Sequence, residues 1–546
     1  MFVRVSTVKG KSKIYRSVQI AESYRDPDKG PRTRIVAHLG QIEGNEDQIQ
    51  KIITGLNRIL GKPTAKDVIF EDAKDFGHTY LLDRVWRKLE LSKAVQEILK
   101  NSDIAFDLQS YLKLMVLNRI CDPSSKLGIL EWVKGVYFPF LEEPEYHKIL
   151  RTMDWLIENK KVLEPAIWCR MKTMLDIETD LVLYDVTSSY FEGERSISED
   201  DIRQNGYSRD KRPDRKQVVI GLVVTKSGLP VCHHVFPGNT TDSTTFVQVV
   251  TDLKDRFHLK RVIVVGDRGM ITRDNVATIK ELGLDYILAH SPKTCSDSHA
   301  FLRESQEELQ ESQSKAWAEK RFSDMRYVIC FDPKRAKEIK ADRDTKIAKA
   351  DAFIIGVKKS LKNPRSSLTV KDAYAKIKNY LQLRGLSRFY FLDIDGNQDL
   401  VCRSESYARN KEKLFDGKLV LETSDMAQTP EEVDKAYRSL QEVERDFRYL
   451  KGPLRLRPNH HWTPRRIKAH IFVCVMALQM ERYMSIRLTG LKHSVSKIIE
   501  SLRRVKIGQL EVQGERKTML TQMEKEHKTV FKQLQLPLPK VAPKEM

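Results

Sequence analysis

Leu181-Val182-Leu183-Tyr184-Asp185 and Val262-Ile263-Val264-Val265-Gly266-Asp267 are two short apolar runs, each ending on an aspartate, and their reading decides the fold. Runs this short and rich in β-branched residues predict buried strands. Working outward, residues 217–225 and 230–236 flank the turn Lys226-Ser227-Gly228 as a hairpin. Residues 243–257 then carry a helical pattern, 261–265 a strand, 273–282 a helix and 285–289 a strand. The order β-β-β-α-β-α-β predicts a mixed sheet whose first and fourth strands lie side by side and parallel, so that Asp185 and Asp267 approach each other. Taken singly, each aspartate has an ordinary alternative, a turn residue bonding its own backbone.

A third acid comes from far downstream. Leu440, Val443, Phe447 and Leu450 recur at helical spacing, and Gly452-Pro453 ends the helix. Beside that core stripe, Tyr437, Glu444, Arg448 and Lys451 are expected on one face, carrying a carboxylate and two cations together. Periodicity does not separate Glu444 from Glu442, and Asp446 competes as well. Carboxylates from two neighbouring strands and a covering helix can hold two hard cations about 3.5–4 Å apart, the clamp for in-line displacement at phosphorus.

Composition points the same way. The 546 residues include 95 Lys and Arg against 75 Asp and Glu, a net charge of +20, which favours a polyanionic partner, nucleic acid first, over a small acidic substrate. Seven cysteines without a C-x-x-C pair exclude a zinc ribbon or a disulfide framework and fit a reducing, cytoplasmic setting. The apolar run 471–478 is too short to span a bilayer, so no membrane role follows. His233-His234 and His460-His461 lack further ligands at zinc spacing. An Asp-x-Asp phosphatase is disfavoured because Thr187 stands two residues beyond Asp185.

Six segments are expected: a small β module (1–60), a helical, DNA-binding domain (61–178), a first part of the α/β core (179–292), an inserted domain (293–426), a second core part with the Glu444 helix (427–492), and a C-terminal helical region and tail (493–546). In the insertion, helices are expected near 300–320 and 334–348 and strands at 327–331 and 418–422, without a hydrophobic stripe. The basic loop 209–216, with Arg209, Lys211 and Arg212, and the helix start at Arg465, Arg466 and Lys468 are candidate phosphate contacts, although charge runs are usually solvated. Trp317 is a conceivable stacking residue, more often packing.

Residues 437–451 resemble the third motif of the insertion-sequence-four-like DDE transposases of bacteria and archaea, Y-x2-R-x3-E-x6-K, with Tyr437, Glu444 and Lys451 in register. The arginine of that pattern is replaced by Leu440, so its contact is lost or passes to Arg438 or Arg448. The resemblance extends to Tyr184-Asp185-Val186-Thr187-Ser188, to residues 206–214, to Gly266-Asp267-Arg268-Gly269-Met270 and to Phe447-Arg448-Tyr449-Leu450-Lys451. It implies a ribonuclease H-like core in which Asp185, Asp267 and Glu444 bind two Mg²⁺ ions, with Mn²⁺ able to substitute. It further implies that Lys451 and Arg448 hold a transposon-end phosphate, that the partners are the element's terminal inverted repeats and target DNA, and that a homodimer, nucleoid-associated, works on DNA. Two alternatives stand beside it: another ribonuclease H-like nuclease such as a resolvase, and a transposase-derived protein that binds DNA without cutting it.

Overall fold

The computed structural model describes residues 2–10, 14–27, 30–42, 51–53, 55–56, 68–100, 102–177, 181–193, 200–257, 263–266, 272–290, 296–310, 312–512 and 515–539. The chain opens with β1 (Phe2–Lys9), β2 (Ile14–Asp26) and β3 (Gly30–Ile42), an antiparallel sheet in sequential order. These strands run well past the apolar stretches, because ladder pairing carries polar residues such as Arg32 and Arg34 along with it.

β4 (Val68–Asp75) follows, inside the segment expected to be helical; it pairs antiparallel with a strand at Lys506–Val512. Six helices then cover Gly77 to Leu175. Leu82, Val85, Trp86 and Leu89 are fully buried, as are Leu112, Leu114, Met115 and Leu117, in agreement with their spacing. The helix Leu108–Cys121 packs against the late helix Pro464–Arg487, which is buried along its whole length from Ile467 to Met484 apart from Lys468. No described helix is long and apolar enough to cross a membrane.

The central layer is one mixed sheet of eight strands. It contains β5 (Leu181–Tyr190), β6 (Gln217–Thr225), β7 (Pro230–Pro237), β8 (Ile263–Gly266), β9 (Asp285–His290), β10 (Ala316–Arg321), β11 (Arg326–Phe331) and β14 (Lys418–Thr423), in the order β10-β11-β14-β9-β8-β5-β6-β7. The hairpin β6–β7 turns through Gly228 at φ +78°, a left-handed conformation that glycine adopts without strain. β8 pairs in parallel with β5 and β9, while the remaining pairs are antiparallel. The fold is a mixed α/β architecture built on this sheet.

The segment 293–426 departs from expectation in two ways. Residues 316–321 form an edge strand and not a helix: Ala316, Glu319 and Lys320 favour helices, but pairing with β11 overrides that weak preference. With β11 and β14 it extends the central sheet, so this part of the presumed insertion belongs to the core layer. Phe301, Leu302 and Leu309 pack on that same layer, while residues 333–404 stand on a core of their own. The helix Pro333–Leu361 lays Ile347, Ala350, Ile354 and Val357 against Ala373, Ile377 and Leu381 of the helix Val370–Leu383, beside the hairpin of β12 (Tyr390–Ile394) and β13 (Leu400–Ser404). That stripe exists, but surrounding Lys and Asp residues hide it in the sequence.

The C-terminal part is not purely helical. After the helix Val495–Leu502 come β15 (Lys506–Val512) and β16 (Glu515–Leu520), and β15 lies between β16 and β4. The last described helix is Lys525–Gln533; the tail beyond 539 lies outside the described residues.

Candidate active site

Asp185 is carried by β5, but in mid-strand: β-branched and aromatic residues after it keep β5 paired with β6 as far as Tyr190. Among the described residues the pairing with β8 runs as far as Leu183↔Val265, two residues before Asp185. It is half-buried, and its Oδ1 accepts the Val186 amide at 2.7 Å. Beneath it, the Tyr184 hydroxyl donates to Thr245 Oγ1 at 2.8 Å, tying β5 to the helix Asp242–Phe257. Asp267 lies outside the described residues, directly after Gly266 of β8.

The helix Leu440–Lys451 packs across β5 and β6 and buries Val443, Phe447 and Leu450. Its three acids point to three environments. Glu444 is exposed and lines a cleft of about 580 Å³ together with Asp185, Val186 and Thr187. Glu442 pairs with Arg445 at 2.6 Å beside the β6–β7 turn at Gly228. Asp446 is fully buried and paired with Arg482; burial pushes its carboxyl up to about 7, against the pull of Arg482. Of the three, only Glu444 shares the cleft with Asp185.

Four cations close the cleft: Arg209, Arg448, Lys451 and Arg457. Arg209 pairs with Asp242, another cleft residue, and its amide donates to Ser188 Oγ at 3.0 Å. Lys451 and Arg457 converge on the largely buried carboxylate of Asp210, at 2.8 and 2.5 Å. Burial draws the Lys451 ammonium below the ordinary lysine value, Asp210 opposes this, and Arg457 and Arg209 add to the lowering. Arg457 also stacks on Tyr190, 5.0 Å from the ring centroid.

The loop that brings Arg209 and Asp210 here is laid back on the sheet by Gln217, whose side-chain amide donates to Tyr207 O at 2.9 Å and to Gly238 O at 3.0 Å. Gly238 permits that approach, since a Cβ there would lie 2.0 Å from Gln217 O.

The other expected residues fall elsewhere. Tyr437 belongs to the preceding helix, Pro430–Arg438, because the helical path is interrupted at Ser439; it packs on the core and does not line the cleft. Lys211 is exposed at φ +58°, and Arg212 is paired with Asp214 at 2.9 Å and lies over Tyr190; neither lines the cleft. Arg438 is held by Asp434 at 2.7 Å, so of the two candidates for the missing arginine only Arg448 reaches the cleft. Arg465 and Arg466 pair with Asp154 and Glu158. Trp317 Nε1 donates to Asp434 at 3.4 Å, a packing role.

Sequence reasoning missed Asp210, Asp242 and Arg457 as parts of the site. Asp210 sits inside the resembling block 206–214, the one signal available; Arg457 has none, since Leu454-Arg455-Leu456-Arg457 reads as a plain loop. His233 and His234 enter a separate network. His233 Nδ1 meets Glu164 at 2.7 Å, and burial with the nearby Lys160 lowers the ring to about 4 against the pull of Glu164. Ligand atoms of Cys232, His234 and Asp252 lie within 4.8 Å of one another, but Asp252 is already engaged by Arg256.

The carboxylates of Asp185, Asp242 and Glu444, from three elements, face arginine and lysine across one cleft, an arrangement that can take up hard cations and phosphate oxygens. The chain belongs to the insertion-sequence DDE transposases: residues 177–480 match the family described as Transposase DDE domain, and residues 3–67 match the N-terminal domain of IS1634 family transposases. Among solved structures it is similar to a Mos1 transposase paired-end complex with left transposon end, at 14% identity and a TM-score of 0.15, over 36% of this chain and 65% of that one. The chain thus spans slightly less than two thirds of that relative. No curated protein matches it.

Proposed function

We propose that this protein is an active DNA transposase that cleaves the ends of an insertion sequence and joins them to target DNA. The observation that carries this reading is the single cleft shared by Asp185 and Glu444 with Arg209, Arg448, Lys451 and Arg457. Counting two residues on from the paired Leu183 and Val265 along each chain reaches Asp185 and Asp267, which supports Asp267 as the third member. The strand order β9-β8-β5-β6-β7, parallel on one side of β5 and antiparallel on the other, supports a ribonuclease H-like core.

The donor set fits a hard divalent cation. The acids that line the cleft offer carboxylate oxygen, with no cysteine or histidine among the described lining residues, which suits Mg²⁺ or Mn²⁺ over zinc. Asp185, Asp267 and Glu444 would hold two such ions, which when bound supply Lewis acidity and a more acidic attacking hydroxyl.

The chain's own residues do the rest. Arg448, exposed on the same helix as Glu444, meets a phosphate of the incoming strand. Lys451 and Arg457 present ammonium and guanidinium from a fixed place, because Asp210 holds both before substrate arrives; such preorganisation lowers the ordering cost of binding. Arg209, braced by Asp242, closes the opposite side. Tyr437, Lys211 and Arg212 keep at most an outer role in DNA binding, away from the reacting phosphate.

The same cleft would serve hydrolysis at the element end and attack by the freed 3′-hydroxyl, with terminal repeats paired by a homodimer in the nucleoid. The test is a linear duplex ending in the element's inverted repeat, incubated with protein and Mg²⁺. Nicking at the terminus is expected, and Asp185→Asn or Asp267→Asn should abolish it while end binding persists. Undiminished cutting by either variant overturns the assignment. Binding without any cutting by the unaltered protein would instead favour the non-cleaving alternative.

A further inference from the structure

A second pocket, of about 560 Å³, lies where the corner 123–127 meets the segment 455–461 and the helix Pro464–Arg487. Beside Leu127, Tyr146 and prolines it is lined by Arg119, Lys126 and Arg455 with His460, His461 and His470, and by no carboxylate among the described residues. Ser124 and Ser125 add hydroxyls.

Lys126 is the telling residue. Its side chain is only 4% exposed, and Nζ has no hydrogen-bond partner among the described residues. Burying an ammonium without a counter-charge is unfavourable, and here the neighbouring Arg119 adds repulsion. Burial, then Arg119, push Lys126 down to about 7. Arg119 itself is 4% exposed, spends its Nη atoms on the carbonyls of Ser124, Leu454 and Arg455, and leaves Nε unpartnered. His470 Nε2 donates to Leu456 O at 3.1 Å, leaving Nδ1 without a partner among the described residues.

Arg455 ties this pocket to the catalytic cleft. In an extended chain residues two apart share a face, but Arg455 holds φ +42° and the alternation breaks there. Arg455 therefore lines the second pocket, and Arg457 lines the cleft. One short segment carries a cation into each.

We propose that this second pocket is an anion site that takes a phosphate group, with Lys126, Arg119 and Arg455 as its ligands. The group comes either from the backbone of DNA bound across both pockets or from a free phosphate. The inference stands apart from the cleavage reading, because its readout is binding in the absence of divalent metal.

The experiment is titration of the full chain, without metal, by inorganic phosphate and by duplex DNA over a series of salt concentrations. Lys126→Met and Arg455→Ala are compared with the unaltered protein; Arg455 is exposed, so its removal leaves folding intact, and the melting temperature of both variants is checked. Phosphate binding is expected to weaken roughly tenfold or more in each variant. If the slope of log K against log salt for DNA also falls by about one, the ligand is a backbone phosphate. If only the phosphate titration changes, the ligand is a free phosphate. If neither variant alters either titration, the proposal is wrong.

Discussion

Glu444 and Asp446 stand two residues apart on one helix, yet they inhabit opposite electrostatic worlds. Glu444 faces an open cleft edged by four cations, where a carboxylate stays available. Asp446 faces inward against Arg482 and Glu481 of the helix Pro464–Arg487, where burial raises the carboxyls of both acids to about 7. An acid costs little to keep in the first setting and is useful there. In the second it is a structural element, fixed by a partner that cannot be removed without leaving a bare charge.

The sharpest way to break this contrast is to truncate each acid in turn. Glu444→Ala should reduce strand cleavage by roughly a thousandfold or more, as for loss of a metal ligand that acts as part of a unit, with the melting temperature nearly unchanged. Asp446→Ala should do the reverse, lowering stability by about 3–5 kcal/mol because Arg482 loses its partner, as read by denaturant unfolding. If Glu444→Ala unfolds the protein, or Asp446→Ala leaves its stability intact, the division between working face and packing face fails.

A smaller effect sharpens the cleft side. Asp210→Ala should release Lys451 and Arg457 from their common anchor and weaken binding of the element end by roughly tenfold, while Lys451→Ala should reduce the salt slope by about one. Equal affinity in Asp210→Ala would mean that the anchor is dispensable.

The smallest effect tests the buried side by pH. Asp446 and Glu481 have folded values raised above the unfolded ones, so the stability they contribute is full below about 4 and is lost as pH rises through about 7. Glu481→Gln removes one of these groups. Its stability relative to the unaltered protein should therefore rise between about pH 4 and 7 and level off above, measured by denaturant midpoints across that range. A flat difference would show that Glu481 does not titrate there.

The same two acids mark the limit of what the sequence could reveal. The strand and helix order from Leu181 to His290 was legible because apolar runs, turn residues and helical spacing agree locally. The choice among Glu442, Glu444 and Asp446 was not, since periodicity fixes a core stripe but not which flank meets the sheet edge. Tyr437 was misplaced for a related reason: a motif counts residues, and the interruption at Ser439 is invisible to counting. β10 was read as helix because its residues favour one, while its fate was decided by β11 beside it. Asp210 and Arg457 joined the cleft through contacts made across more than two hundred residues of chain, as did the basic pocket around Lys126, assembled from two distant stretches. Local pattern carries elements, and long-range pairing carries sites.

The union of β4 with β15 has a consequence in time. β4 is made long before β15, the strand that satisfies its edge. Until β15 follows, the ladder groups of β4 face water or a wrong partner, so this sheet closes only after the whole α/β core between them has been made. A chain halted anywhere between the two strands keeps a sticky border that the later strand would have sealed.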